Sequence, residues 1–481
     1  MKLVRRILSI TIVSVFALSC SDHVDFEAKE LHIIDASVYF QSASDYNAAV
    51  VGTYDPLQWM YLNILIGDIA SDNSNCGGES ATDVIGLQQI DDMTHNPSND
   101  NLTSIWRWCF EGVNRANYLF VNKDNIEFDS KESLYGEVHF LRAYYYFELV
   151  KHFGGVPLAT EDRFYVSDIG SYTRASSQEI YGQIESDLQA AIAVLPNAQT
   201  QSGRATKYAA QALLGKVYLF QDKFTDAANM LENVIGQFSL VSNYQSQFLK
   251  AGENGPESVF EVQHSNDSEW WDWGFVPQGT EGNFGIIHNG PRADISGYAR
   301  GWSFNIPTQD LVDIFEDGDS RKDATILAYS GDASELAGYE QTGYFNHKYI
   351  PRAGESGAQT ELNYLTNYRS IRYADVLLMA AEANNRGGIS DSKAQEYLNE
   401  VRRRAFGDTN HDITDTGSSL TQAIWDERRL ELSMEGHRFF DLVRTGEAAS
   451  KISGFTSNKH ELFPVPQQEI DIAGISQNQG Y

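Results

Sequence analysis

Three carboxylates recur every four residues at Glu427, Glu431 and Glu435, a spacing that sets them along one face of a helix. Such a face could do acid/base chemistry or hold a cation. A catalytic acid, however, needs a raised pKa, and a guanidinium beside a carboxyl lowers it. Arg428, Arg438 and Arg444 lie in the same block, so the pattern reads as an ion-pair lattice in which they neutralise the three carboxylates. The stretch 315–323 sets Glu316, Asp317, Asp319 and Asp323 around Gly318, but it lacks the alternating ligands and closing Glu of an EF-hand. It reads as a structural turn with local pairing of Asp319 and Arg321. No Ser/His/Asp order, phosphate loop or His/Cys ligand cluster is recognisable. His437 reads as a packed surface histidine, and no metal, cofactor or catalytic residue is expected.

The strongest candidates for chemistry are tryptophans. Trp270, Trp271, Trp273 and Trp302, four of the eight in the chain, fall within 33 residues rich in glycine and other aromatics. The C–H face of a sugar ring is apolar and weakly positive, so it stacks on an indole while its hydroxyls need carboxylate and amide partners. These four are therefore candidate ligand platforms. Trp302 also admits a plain packing role, because it stands just before a helix expected over 308–315.

The elements that would position these residues are mostly helices. Residues 136–158 are apolar around much of a helical circumference, the mark of a helix buried among others, and Gly154-Gly155 with Pro157 end it. Further helices are expected over 44–65, 101–120, 177–195, 207–220, 223–238 and 372–386, with a polar, glycine-rich loop over 67–78. The pair 207–220 and 223–238 places Gly215, Tyr218, Ala227, Leu231 and Val234 at tetratricopeptide-like offsets. A second pair begins at 372, with Ala394, Leu398 and Val401 repeating the spacing. Two such pairs about 130 residues apart are too few for a solenoid, so the scaffold (about 41–239 and 369–481) is expected to carry a loop-rich, partly β insertion over about 240–368. Residues 258–263 are its clearest strand.

The N-terminus is an address. Lys2, Arg5 and Arg6 precede an apolar stretch over 7–18 that closes on Ala17-Leu18-Ser19-Cys20. This resembles a bacterial lipobox, with residues 1–19 a signal peptide, Cys20 the lipidated residue and 20–40 a tether. An ordinary signal peptide is the alternative. The chain carries a net charge of −30, and loss of Lys2, Arg5 and Arg6 with the signal makes it −33. That argues against nucleic acid or an anionic membrane surface as partner. Cys76 and Cys109 make no disulfide framework and lack metal-ligand spacing, so both read as structural.

Several blocks together carry a family resemblance: residues 137–158, 367–383 (NYRSIRYADVLLMAAEA), 425–432 (WDERRLEL), 435–444 (EGHRFFDLVR), 462–466 (LFPVP) and 477–481 (QNQGY). With the lipobox, they resemble the SusD/RagB family of outer-membrane nutrient-binding lipoproteins from end to end. The resemblance implies a mostly α fold of four tetratricopeptide-like units packed on a variable region, in one domain over 41–481. It implies a non-catalytic surface protein that captures glycans, or occasionally peptides, for a TonB-dependent SusC-like transporter. The acidic run after Cys20 resembles the surface-export signal of Bacteroidetes lipoproteins. In the family, the loop holding Asp72 and Asn73 lies near the ligand face, which makes both candidate hydrogen-bonding partners. A glycoside hydrolase would need two carboxylates roughly 5–10 Å apart in a cleft, and none announces itself. A tetratricopeptide adaptor for another protein is the third reading.

Overall fold

The computed structural model describes residues 39–160, 162–165, 170–266, 281–332, 336–356 and 362–481. Eight helices form the first part: α1 (Ala43–Trp59), α2 (Leu62–Ile69), α3 (Ile85–Asp91), α4 (Asp100–Val121), α5 (Lys131–Phe153), α6 (Ser177–Val194), α7 (Lys207–Leu219) and α8 (Phe224–Glu232). The short α9 (Gly285–Asn289) lies in the middle of the chain, and beyond the short turns of helix at Gln309–Asp313 and Arg321–Thr325 come α10 (Tyr373–Arg386), α11 (Asp391–Phe406), α12 (Gly417–Leu432), α13 (Arg438–Thr445) and, after the brief Ala448–Lys451, α14 (Gln467–Ala473). Among the described residues no helix is long and apolar enough to cross a membrane.

α5 is the axis of the packing, as its sequence requires. Val138, Phe140, Leu141, Tyr145 and Leu149, drawn from both of its apolar faces, are fully buried. It lies against α1, α4 and α6, and Gly154 ends it with φ 70°. α6 packs on α7 and α7 on α8. The chain then leaves the stack, returning as α10, which packs on α8, α11 and α12. A Cβ at Gly215 would sit 2.5 Å from Leu231, so the α7–α8 crossing depends on that glycine. Short antiparallel strand pairs complete the fold, five of the six described strands lying between α8 and α10 in the chain. β1 (Ser74–Asn75) pairs with β3 (Ile306–Pro307), β2 (Ser258–Val262) with β6 (Tyr368–Arg372), and β4 (Ile326–Ala328) with β5 (Tyr344–Asn346).

Four expected boundaries move. The helix over 44–65 is two helices, because Met60 leaves helical geometry at ψ 35°. Pro56 does not cause the break: the Gly52 carbonyl it cannot serve takes Nη1 of Arg115 at 2.6 Å instead. The polar loop over 67–78 begins as helix, since Gly67 lies within α2, which runs on to Ile69, in contact with Gly436, whose carbonyl oxygen a Cβ would meet at 2.0 Å. α8 stops at Glu232, where the Asn233 amide donates to the carbonyls of Asn229 and Met230. Arg372 closes β6 rather than opening α10.

Candidate functional site

The carboxylate ladder is a buried ion-pair lattice, but its cations are not the expected ones. Nη1 of Arg321 and Nη1 of Arg402 reach Glu427 at 2.6 and 2.7 Å. Glu431 takes Arg321, Arg372 and Arg404 at 3.1, 2.9 and 2.6 Å, and Glu435 takes Lys348 and Arg372 at 2.7 and 2.8 Å. Arg428 binds Asp375 and Asp441, Arg444 binds Glu382 and Asp441, and Arg438 binds Asp72. Burial alone would raise the Glu431 and Glu435 carboxyls, yet the surrounding cations outweigh it and hold both below the usual carboxylate range. These groups stay ionised and hold structure. Asp319 is gripped by the Arg321 guanidinium, as the local pairing required. Among the described residues no three His, Cys, Asp or Glu side chains converge as a metal site. His437 is half-buried beside a cavity of about 40 Å³, and burial pushes its pKa down to about 3. Cys76 and Cys109 are both free and buried.

Asp72 and Asn73 are turned inward, which corrects their assignment to a ligand. Arg438 donates to both Asp72 oxygens at 2.7 and 2.9 Å, and Nε of Arg429 donates to Oδ1 of the fully buried Asn73 at 2.8 Å. The arginines of α12 and α13 need buried acceptors, and this loop supplies them.

Trp302, by contrast, lies at a surface while packing on aromatic core. Its ring meets Phe284, His288 and Phe304 edge-to-face at 5.5, 4.9 and 6.4 Å. Tyr61 stacks on His288 at 5.1 Å, and burial pushes the His288 pKa down to about 4, so the cluster is uncharged at neutral pH. The Trp302 backbone is clamped at both ends: its N–H donates to Ile287 O at 2.9 Å, and its carbonyl accepts from Nε of Arg292 at 3.0 Å. Nη2 of Arg292 in turn donates to Asp83 at 3.1 Å.

Backbone strain converges on this place. Val84, Ser303 and Glu340 all adopt positive φ, at 44°, 51° and 51°. Non-glycine residues there cost roughly 1–3 kcal/mol each and gather at functional sites. Gly78 ties the three loops together, donating its N–H to Ser303 O at 2.8 Å and accepting from Tyr339 N–H at 2.9 Å. Val84 is a β-branched residue in a left-handed conformation, and it and Ile85 are 43% and 58% exposed. Asp83, Arg292, Tyr61 and His288 escaped the sequence reading, since nothing local marks them. Trp270, Trp271 and Trp273 lie outside the described residues. The chain on either side of them is joined where Ser265 N–H donates to Glu281 O at 2.8 Å.

A helical-repeat scaffold carrying a strained, aromatic loop face defines a binding protein more naturally than an enzyme. Comparison with known proteins makes the class specific. A profile described as SusD family matches residues 321–481, and one described as starch-binding associating with outer membrane matches 35–219. A laminarin binding SusD-like protein of known structure is 35% identical and superposes with a TM-score of 0.83, covering 92% of this chain and all of that one. Surface glycan-binding protein A from Bacteroides fluxus is 29% identical with a TM-score of 0.81, covering 92% and 100% of the two chains. The SusD-like protein P2 of Formosa agariphila is 26% identical over 94% of each chain. The chain belongs to the SusD family. Proteins of this family are non-catalytic, which sets the glycoside hydrolase reading aside.

Proposed function

We propose that the protein is a cell-surface lipoprotein that captures a neutral glucan of the laminarin type and hands it to a SusC-like transporter. The observation that carries this is likeness along the whole chain: a laminarin binding relative matches 92% of it at 35% identity. A surface glycan-binding protein A of Bacteroides thetaiotaomicron, solved with laminarihexaose, also matches, at 26% identity and a TM-score of 0.81. On this reading Trp302 supplies one sugar platform, held by Arg292 and Asp83, and Trp270, Trp271 and Trp273 supply others. The strained loops around Gly78 pre-organise the face, so little ordering is left for the ligand to drive.

Affinity electrophoresis of residues 21–481 in gels cast with laminarin and other polysaccharides tests it. Retardation by laminarin is expected, weakened in Trp302→Ala and in the Trp270/Trp271/Trp273→Ala triple variant. Free migration through laminarin would rule out this ligand, and retardation unchanged in both variants would move the site. Cys20→Ala is expected to abolish fatty-acid labelling and release the full-length protein from the outer membrane. Continued labelling would disprove the anchor. Co-purification with a TonB-dependent transporter from the native membrane tests the hand-over.

A further inference from the structure

On the far side of α4 from Trp302 lies a second aromatic groove. Trp108 faces Tyr61, at 5.6 Å, and through it the Trp302 cluster. Trp106 stands about 200° around the helix from Trp108, and Phe110 lies one turn further along the Trp106 side. From there the rings run outward in a chain. Trp106 meets Phe110 at 4.9 Å, Phe110 meets Phe164 at 5.3 Å and 86°, and Phe164 meets Tyr172 at 4.9 Å and 72°. The Tyr172 hydroxyl accepts from Tyr165 N–H at 2.8 Å, and Tyr165 is left 40% exposed at the rim. The concavity these rings share with α14 is about 460 Å³, inside the range of about 300–1,000 Å³ that ligand clefts occupy.

Its polar groups are acceptors and amides beside flat rings. Glu469 sits half-buried next to Trp106 and Arg107, and Glu111 and Asn114 line the α4 side. The Asn114 amide is spent on the Phe164 backbone, accepting from its N–H at 2.8 Å, so it fixes the loop rather than a ligand. Glu111 is paired with Nε of Arg115 at 2.8 Å, so the charges left to the groove, Glu469 and Arg107, balance and favour neither an anionic nor a cationic guest. Aliphatic lining is confined to Pro157, Ala473 and Ile475, whereas an aliphatic protein segment would be met by more of its own kind. Ring faces flanked by carboxylates suit a neutral hexose chain, whose C–H faces stack and whose hydroxyls donate.

We infer that the groove lined by α4, by the side chains of Phe164, Tyr165 and Tyr172, and by α14 is a second binding site for a neutral oligosaccharide, separate from the Trp302 face. The inference rests on the glycan-binding reading above and adds a second point of attachment. Two weak sites on one polymer raise its overall affinity through effective concentration, provided the chain can span both.

Isothermal titration of residues 21–481 with laminarihexaose tests this, using the parent, Trp302→Ala, Tyr165→Ala and Ala473→Arg. Tyr165 is exposed and its backbone bond does not need its side chain, so Tyr165→Ala folds. Ala473→Arg instead fills the groove from α14. The parent is expected to bind two equivalents. Trp302→Ala and Ala473→Arg should each bind one. Tyr165→Ala should weaken the groove site by about 2- to 13-fold, the worth of one aromatic contact. A single equivalent in the parent, lost in Trp302→Ala and untouched by Tyr165→Ala and Ala473→Arg, overturns the second site alone. Absence of any binding overturns both it and the laminarin reading.

Discussion

Arg372 is the residue on which the buried charge lattice can be tested most sharply. Its guanidinium reaches Glu435 through Nε and Nη2 at 2.8 Å each, Glu431 at 2.9 Å and Glu257 at 2.8 Å, with 1% of the side chain exposed. Around it, Arg321, Lys348, Arg402 and Arg404 bring the buried cations to five, facing Glu257, Asp319, Glu427, Glu431 and Glu435. The lattice is therefore neutral as a whole, although taking ten charges out of water is costly. Arg372→Met leaves one negative charge buried without compensation, and Glu435→Gln leaves one positive. Each single change is expected to cost about 3–5 kcal/mol. The double variant restores neutrality with four charges of each sign, so it should be less destabilised than the two singles summed, by at least about 2 kcal/mol. Urea unfolding followed by near-UV circular dichroism, run on all four proteins at one temperature, measures this coupling. Additive singles, or singles within about 1 kcal/mol of the parent as at an exposed ion pair, would refute the reasoning. The outcome bears on function, because Glu435 adjoins Gly436, whose contact with Gly67 seats α2 beneath the Trp302 cluster.

Two further outcomes follow from the loop face. Burial raises the Asp91 carboxyl from 3.8 to about 7, with Asp92 and Glu340 adding to the rise against the Cys76 N–H that it accepts. A group whose folded pKa is raised contributes stability that is complete below its unfolded pKa and is lost as pH climbs through about 7. Asp91→Asn should therefore gain on the parent as pH rises from 4 to 8, in thermal midpoints measured across that window; a constant difference would show that Asp91 is solvated. Val84→Gly removes a left-handed strain of about 1–2 kcal/mol while adding about 0.5–1 kcal/mol of chain entropy. Its midpoint should hold or rise while laminarin retardation weakens, and a lower midpoint with unchanged retardation would remove strain from the account of this face.

The helices were legible because their signals are local. α5 announces itself through two apolar faces and a Gly-Gly-Val-Pro stop, and α7 with α8 through small residues at fixed offsets. The errors came where a tertiary contact decided. The helical start of the loop at Gly67 depends on its contact with Gly436, some 370 positions away, and no window of sequence contains both. The charge ladder shows the same limit. Spacing by four puts Glu427 and Glu431 on one face of α12, but it turns Arg428 about 100° from Glu427 and about 60° from Glu431. A neighbour in sequence is thus a poor guide to a partner in space, and Arg428 pairs with Asp375 and Asp441 while Arg321, Arg372, Arg402 and Arg404 arrive from other elements.

Burial likewise separates the two kinds of candidate at the proposed ligand face. A tryptophan in a glycine-rich stretch is conspicuous by type, since so large an apolar ring outside a helix needs either a core or a ligand, and Trp302 has a core on one side and solvent on the other. Asp72 and Asn73 are candidates because the family resemblance sets their polar loop near the ligand face, and the place of a loop does not say which way its side chains turn. With Arg438 buried behind them, leaving it unpaired would cost more than a hydroxyl contact at the surface could return, and Arg429, which Asp310 holds through Nη2 at 2.6 Å, takes Asn73 through Nε, so the loop turns its acceptors inward. What remains at the rim is what the lattice does not need: a clamped indole, Arg292 with Asp83, and three strained backbone positions meeting at Gly78. Val84 stands more than 200 residues before Ser303 and Glu340 in the chain, and their convergence is a property of the fold alone.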